Sequence, residues 1–506
     1  FIFQHDIPIK KLEATFETPE YFNFKVNTKG VLIVPPKKES KRDKITFRSK
    51  ARVGGTGFSN GGVETVHNSS NLEFTKNITL YNLTDVPALK NEPYVNNINN
   101  YRSSVKYELS FTKFPQSPIK YFSTTWEDVV KTIYESSSFS TELNKEGYYE
   151  DDIDALIGGV SDPLKKAGLI YNFVKSKVKW NDYYGKYTSK GVKKAYKEQV
   201  GNVAEINLML TSMLRYAGLK SNPVLVSTRG NGIPVFSTRD GYNYVISCIE
   251  TANGVVLLDA SSKYSTLNVL PFRTLNWEGR IIRKGGSSSL INLYPEKKST
   301  SSYSMMVSLN KNGDIEGGIR TSKTDHKAMS YRASYLETNQ DQFLEDLENN
   351  YDGLEVSEFN VKNAEDLSKP VMESYKFLKE SQVDIIGDKI YFSPLFFLKS
   401  KENPFKLEKR EFPVDFGYPS KSTYRIIVNL PANYKVESIP ESSAVALPDN
   451  MGVYKFSISG YGSKIELIIN SEINVPIVSP VYYDVLKEFF KHMIGKENEQ
   501  IVLTKT

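Results

Sequence analysis

The sequence predicts an α+β protein in which a helix-and-sheet core is flanked by two mainly antiparallel β domains. Three observations predict it: a period-two pattern over residues 1 to about 115, helical spacing from about 120 to 220 followed by three apolar runs of strand length, and renewed alternation beyond about 300. At 506 residues the chain exceeds the roughly 250–300 at which a single core stops growing, and boundaries are expected at 1–118, 119–298 and 299–506.

In the first segment "ITFRSKARV" at 45–53, "LEFTKNITL" at 72–80 and "VKYELSF" at 105–111 alternate as half-buried strands do. The chain opens on "FIFQHDIPIKK", which lacks an initiating Met and reads as a strand already under way, as if trimmed or processed. "PPKKESKRDK" at 35–44 reads as a solvated loop, and "VGGTGFSNGG" at 53–62 as a turn or mobile loop without a phosphate-binding motif.

Three helices follow. "TTWEDVVKTIYESS" offers Thr125 as N-cap with Asp128 three residues on, and places Trp126, Val129, Val130 and Ile133 on one face. "SDPLKKAGLIYNFVKSKVKW" is capped by Ser161 or Asp162, has Pro163 in its first turn and predicts a stripe of Leu169, Ile170, Phe173 and Val174. "GNVAEINLMLTSMLRYAGL" at 201–219 repeats apolar residues at Val203, Ile206, Leu210, Met213, Leu214 and Ala217, and stops at Gly218.

The strand-length runs are "NPVLVST", "YNYVISCIE" and "GVVLLDAS". Further on, Asn312-Gly313 marks a hairpin turn, "YRIIVNL", "YKFSIS" and "IELIIN" alternate, and a last helix carries Val481, Val485, Leu486, Phe489 and Met493 on one face before a terminal strand "QIVLT".

A net charge of +6 over this length is too dilute for a nucleic-acid footprint. The single cysteine, Cys248, excludes an internal disulfide framework and cysteine-based zinc clusters, and leaves the compartment open. His5, His67, His326 and His492 lack ligand spacing, so neither metal nor cofactor is expected; "HNSS" at 67–70 and "TDHKAM" at 324–329 read as surface segments. No apolar stretch reaches the roughly 20 residues that span a bilayer.

A helix whose first turn follows a glycine, with strands behind it carrying polar groups, suits a Cys-His-Asp site. The positive end of the helix dipole eases ionisation of a thiol, a strand histidine takes its proton, and a carboxylate orients the imidazole. "GNVAEINLML", "GYNYVISCIE" and "VVLLDAS" resemble the transglutaminase-like, papain-type core, whose pattern is roughly Gly-Asp-Cys-x-Asp/Glu, Asn-His-x-x-Val and Leu-Asp-Pro/Ala. The flanking segments resemble bacterial proteins in which β-rich domains surround this core.

Carried over position by position, the resemblance puts the nucleophile at Val203, the histidine at Tyr244 and the carboxylate at Asp259. Valine has no lone pair, and tyrosine, with a reference pKa of about 10, is a poor base at neutral pH. The expectation is a catalytically inactive protein, exported to the periplasm or outer membrane, that binds or scaffolds a protein, peptide or glycan partner in the cell envelope.

Two other readings use other residues. A peptide-directed hydrolase or acyltransferase would employ Cys248 with Tyr244. A glycan- or peptide-binding module would use Trp180, Tyr183, Tyr184 and Tyr187, which follow the second helix in the segment bordering the resembled cleft. Glu205 is expected to stabilise the start of its helix.

Overall fold

The computed structural model describes residues 1–54, 64–122, 125–310 and 312–506, so the glycine-rich loop from residue 55 onward lies outside the described residues. The chain forms two compact units, one of Phe1–Asn91, Ile98–Val129 and Phe236–Arg239, the other of Glu92–Asn97, Val130–Val235 and Asp240–Thr506.

In the first unit β1 (Ile9–Pro19), β3 (Lys37–Val53) and β4 (Glu64–Val86) form an antiparallel sheet of order β1-β4-β3. β2 (Phe22–Lys29), β5 (Ser104–Thr112) and β6 (Lys120–Tyr121) form a second. Alternation turns Ala14, Tyr81 and Val105 inward onto Phe3, with Phe16 stacked on Tyr107 at 4.5 Å. Residues 1–8 are not the strand expected of the opening; apart from a bridge from Ile2 to Ser104, strand structure starts at Ile9. The basic run at 35–44 is a second correction. From Lys37 on it belongs to β3, pairing in register from Lys37 with Leu80 to Lys44 with Glu73. Its side chains are solvated as expected; the charge pattern does not reveal that β4 offers the backbone a full ladder.

Helix α1 (Trp126–Tyr134) begins at the expected capping box, in which Asp128 N donates to Thr125 Oγ1 and Thr125 N to Asp128 Oδ2. The core of the second unit then supplies α2 (Glu150–Ile157), α3 (Pro163–Lys177), α4 (Val192–Glu198) and α5 (Val203–Tyr216). α3 is capped by Asp162, but its buried stripe is Ala167, Ile170, Tyr171 and Val174, rotated away from Leu169 and Phe173. Tyr171 is drawn inward because its hydroxyl donates to the Asp259 carbonyl at 2.9 Å and lies 2.6 Å from Ser265 Oγ.

α5 is buried all round from Val203 to Leu214, as a helix through the middle of a core must be. It ends where Gly218, at φ +81°, lets Leu219 N reach Leu214 O at 3.0 Å. Two short strands, β7 (Lys179–Trp180) and β8 (Val200–Gly201), precede it. It packs on a five-stranded antiparallel sheet of β9 (Ser221–Val226), β10 (Tyr244–Thr251), β11 (Gly254–Leu258), β12 (Glu278–Ile282) and β13 (Ser288–Asn292), ordered β11-β10-β9-β12-β13. The three apolar runs are β9, β10 and β11; β12 and β13 have no counterpart among the sequence expectations.

The rest of the unit is built on an eight-stranded sheet whose central pair, Ser299–Leu309 beside Ser420–Asn429, is parallel. The hairpin at Gly313 joins Ser299–Leu309 to Ile315–Lys323. Two helices not expected from the sequence, α6 (Asp325–Leu336) and α7 (Gln340–Asn350), follow. The last helix, α8 (Tyr483–Asn498), buries Tyr483, Leu486 and Phe489, while Val481 precedes it and is 79% exposed.

"TDHKAM" is therefore no surface loop. His326 opens α6, is 1% exposed and stacks on Tyr418 at 4.6 Å. Its Nε2 lies 3.0 Å from the Leu270 carbonyl, so that nitrogen carries the proton, and Nδ1 faces Ser299 Oγ at 3.2 Å. Burial lowers its pKa to about 4 from 6.5. The unfolded chain binds a proton near 6.5 and the folded chain does not until about 4, so stability present above pH 6.5 is lost on descending to pH 4, by about 3 kcal/mol. Urea unfolding at pH 7 and pH 4.5 is expected to give a smaller acid loss for His326→Gln than for the wild type; equal losses would show that the imidazole is not held neutral.

Candidate functional site

The N-terminus of α5 is fixed by its own sequence. Asn202 caps the helix, its Oδ1 accepting from Glu205 N at 2.9 Å, while Glu205 Oε2 accepts from Asn202 N at 2.8 Å. Asn202 Nδ2 also donates to the Tyr187 carbonyl and to Ser189 Oγ. Glu205 does more than complement the helix end. Its Oε1 accepts from Ser189 N at 2.9 Å, Lys190 N at 2.5 Å and Gly191 N at 3.1 Å, tying the segment before α4 to α5. Gly201 permits this approach, because a Cβ there would sit 3.1 Å from Glu205 Cβ and 3.0 Å from Ala195 Cβ.

Val203 follows, fully buried, in an apolar cluster with Val224, Val226, Tyr244, Ile246 and Cys248, against which Trp180 packs. Its side chain offers no polar atom to the site. Tyr244, at the start of β10, is also fully buried; its hydroxyl donates to Asp259 Oδ2 at 2.7 Å and lies 2.8 Å from Ser261 Oγ. Burial, reinforced by the Asp259 charge, holds the Tyr244 pKa well above its ordinary 10. At neutral pH this phenol is a donor to the carboxylate and not a base.

Asp259 follows β11, fully buried, with both carboxylate oxygens hydrogen-bonded. Oδ1 accepts from Asn207 Nδ2 at 3.0 Å, Ser261 N at 3.0 Å and Ser261 Oγ at 2.6 Å. Asn207, one turn after Val203 on α5, also holds the strands, donating to the Val245 carbonyl and accepting from Ala260 N. Arg273 completes the cluster: Nε donates to the Tyr244 hydroxyl at 3.1 Å, Nη2 to Ser261 Oγ at 3.2 Å, and Nη2 stands 4.0 Å from Asp259 Oδ2.

Of the four loop aromatics the structure brings two to this cluster. Trp180 and Tyr184 stack at 5.6 Å with their planes 7° apart, and Tyr184 meets Tyr244 edge-on at 5.5 Å. The Arg273 guanidinium lies 4.4 Å from the Trp180 ring centre, so the cation this aromatic face could hold is already in place. Tyr183 is 71% exposed, and its carbonyl accepts from Trp180 Nε1 and Val203 N. Tyr187 is half-buried beneath Lys186.

Cys248 lies on the same strand as Tyr244 and in the same cluster, is fully buried, and burial pushes its thiol up to about 12. A thiol so placed stays protonated at neutral pH. Among the described residues no group of His, Cys, Asp and Glu is arranged to hold a metal ion. His5 and His67 are exposed, and His492 Nε2 lies 2.8 Å from Ser443 Oγ.

The structure brings together Val203, Tyr244 and Asp259, which the sequence singles out, and adds Arg273, Asn207 and Ser261, which it does not. Ser261 stands in the quoted "LDAS" run and Asn207 on the predicted helix, both open to inspection. Arg273 sits on a single 3-10 turn, Phe272–Thr274, in a stretch without periodicity, and carried no signal.

Residues 152–257 match the transglutaminase-like superfamily, and residues 388–503 match DUF3858, a domain of unknown function with a solved structure. No curated protein matches the chain. Among solved structures, a Parabacteroides distasonis protein provisionally named a protease superposes with a TM-score of 0.52 at 11% identity, over 99% of this chain and 74% of its own. A Cytophaga hutchinsonii protein provisionally named a cysteine protease aligns at 8% identity over 56% of this chain and 85% of its own, with a TM-score of 0.20, too low to bear on the fold. Helices α2 to α5 and strands β9 to β11, with Val203, Tyr244 and Asp259 gathered where α5 meets the sheet, thus form a transglutaminase-like core, followed in the same chain by a DUF3858 domain.

Proposed function

We propose that the chain is a catalytically inactive transglutaminase-like protein serving as a binding or scaffolding component of the bacterial cell envelope. The observation that carries this reading is the set of bonds around Asp259. The carboxylate that would orient a histidine instead accepts the Tyr244 hydroxyl, Arg273 covers that hydroxyl, and the nucleophile's position is apolar packing at Val203. In a Ser-His-Asp hydrolase, loss of the nucleophile alone removes about a million-fold of kcat, so two vacant roles leave little triad chemistry. The envelope assignment rests on the family resemblance of the flanking domains, and the peptide or glycan partner on the aromatics Trp180, Tyr183, Tyr184 and Tyr187 of the segment before α4.

Purified protein is expected to give no amidase, peptidase or acyl-transfer turnover. Turnover abolished by Tyr244→Phe or Cys248→Ala would overturn the reading in favour of a rearranged cysteine enzyme. A thiol-reactive probe separates the two independently: Cys248 is expected to stay unmodified in the native protein and to react only after unfolding, whereas fast native labelling would supply the nucleophile this proposal denies.

A further inference from the structure

The hairpin of β3 and β4 runs past the edge of β1. β1 pairs with β4 only from Lys76 to Val86, while β3 continues alongside β4 in unbroken register to Val53 opposite Glu64. Beyond Lys76 the two strands form a ribbon, and because directly opposed residues share a face, its two faces can be read from the register.

One face carries Arg42, Lys44, Arg48, Lys50 and Arg52, all exposed, opposite Thr75, Glu73, Ser69, His67 and Thr65. From Arg42 to Arg52 the cations extend about 34 Å with Glu73 as the one acid among them. None of the five is ion-paired among the described residues. Lys76, on the other face, differs: it bridges Asp43 at 2.9 Å and Glu17 at 3.0 Å.

That other face carries apolar residues beyond this ion cluster, interrupted by Ser49 opposite Asn68 and ending at Glu64. Phe74 packs near Tyr21, Ile45 lies opposite Leu72, Phe47 opposite Ser70 and Ala51 opposite Val66. Ile45 is 44% and Phe47 55% exposed, so large apolar side chains stand in water on a segment that covers no core.

We infer that this ribbon is a docking arm for an anionic lipid surface. The charge calls for a negative partner, and the reverse face selects among such partners: nucleic acid or an acidic glycan met by the cationic face leaves Ile45 and Phe47, on the opposite face, in water, whereas the headgroup boundary takes both. A ribbon two strands wide is narrow enough for Arg and Lys side chains to bend past its edge to the phosphates while the apolar face enters the acyl boundary. The arm belongs to the first unit, so this inference stands or falls separately from the inactivity of the core.

Full-length protein is expected to co-sediment with vesicles of phosphatidylglycerol and phosphatidylcholine in equal parts and not with phosphatidylcholine alone, and to be largely released at about 1 M salt. Reversing Arg48, Lys50 and Arg52 to Glu should weaken binding about tenfold or more. Ile45→Ser with Phe47→Ser should weaken it by a part that salt does not change, and the unfolding midpoint should be kept in both variants. Replacement of the three cations by Gln repeats the test without new charge repulsion. Equal binding to both vesicle types, or binding indifferent to the charge variants, overturns the inference. Binding to soluble polyphosphate that is insensitive to the Ile45 and Phe47 changes and unaccompanied by vesicle binding also overturns it, in favour of a polyanion site.

Discussion

Glu205→Ala is expected to destabilise the second unit by about 3–5 kcal/mol, measured as the shift in urea unfolding at unchanged m. The carboxylate is 1% exposed and accepts four backbone N–H groups, from Asn202, Ser189, Lys190 and Gly191. Hydrogen bonds to a charged acceptor contribute about 1.5–3 kcal/mol each, but Ser189 and Lys190 are exposed enough for water to take over part of theirs, which brings the expected loss below the simple sum. Glu205→Gln should lose less, since Oε1 can keep its three donors while Nε2 is set against Asn202 N–H, two donors face to face. Hydrogen exchange should quicken at residues 189–191 in both variants. A loss under about 1 kcal/mol for Glu205→Ala would mean that water replaces the carboxylate and that α5 does not depend on this anchor.

The depth of Glu205 in the fold marks what the sequence could convey. Helical spacing and Gly218 delimit α5, and Glu205 at its third position signals a cap, because capping is local in sequence. The further bonds to 189–191 join a loop to a helix across more than a turn of chain, and no periodicity encodes them. The same distinction explains α6. Its buried face is made by His326, Ala328 and Arg332, and Arg332 is held by the carbonyls of Asn363, Ala364, Asp366 and Lys369. A helix that buries polar side chains against carbonyl oxygens has no apolar stripe to detect. In α3 the local signals gave the cap and extent, but a long-range hydroxyl contact of Tyr171 decided which stripe faced inward. At the candidate site the positions Val203, Tyr244 and Asp259 were legible through resemblance, and their present partners were not, since Arg273 enters from a lone turn.

Asp259→Ala is expected to lower stability by about 3–5 kcal/mol, the loss typical of breaking a buried charged pair by removing one partner. The substitution leaves the Tyr244 hydroxyl with Ser261 Oγ as its remaining acceptor, Asn207 Nδ2 with the Val245 carbonyl alone, and the Arg273 guanidinium without a counter-charge beneath the Trp180 ring. Tyr244→Phe removes one bond of the set and should lose only about 1–2 kcal/mol, and the double variant should fall short of the sum because both remove the same contact. The direction of the Asp259 effect also separates two histories of this residue. A carboxylate kept for catalysis is commonly strained, and replacing it raises stability while abolishing activity. A carboxylate kept for packing, with Tyr244, Ser261, Asn207 and Arg273 grown around it, makes the fold weaker when lost. A stabilised Asp259→Ala variant would therefore reopen the catalytic reading of this core, whereas a loss of several kcal/mol with coupling to Tyr244 places Asp259 among the residues that hold α5 to the sheet.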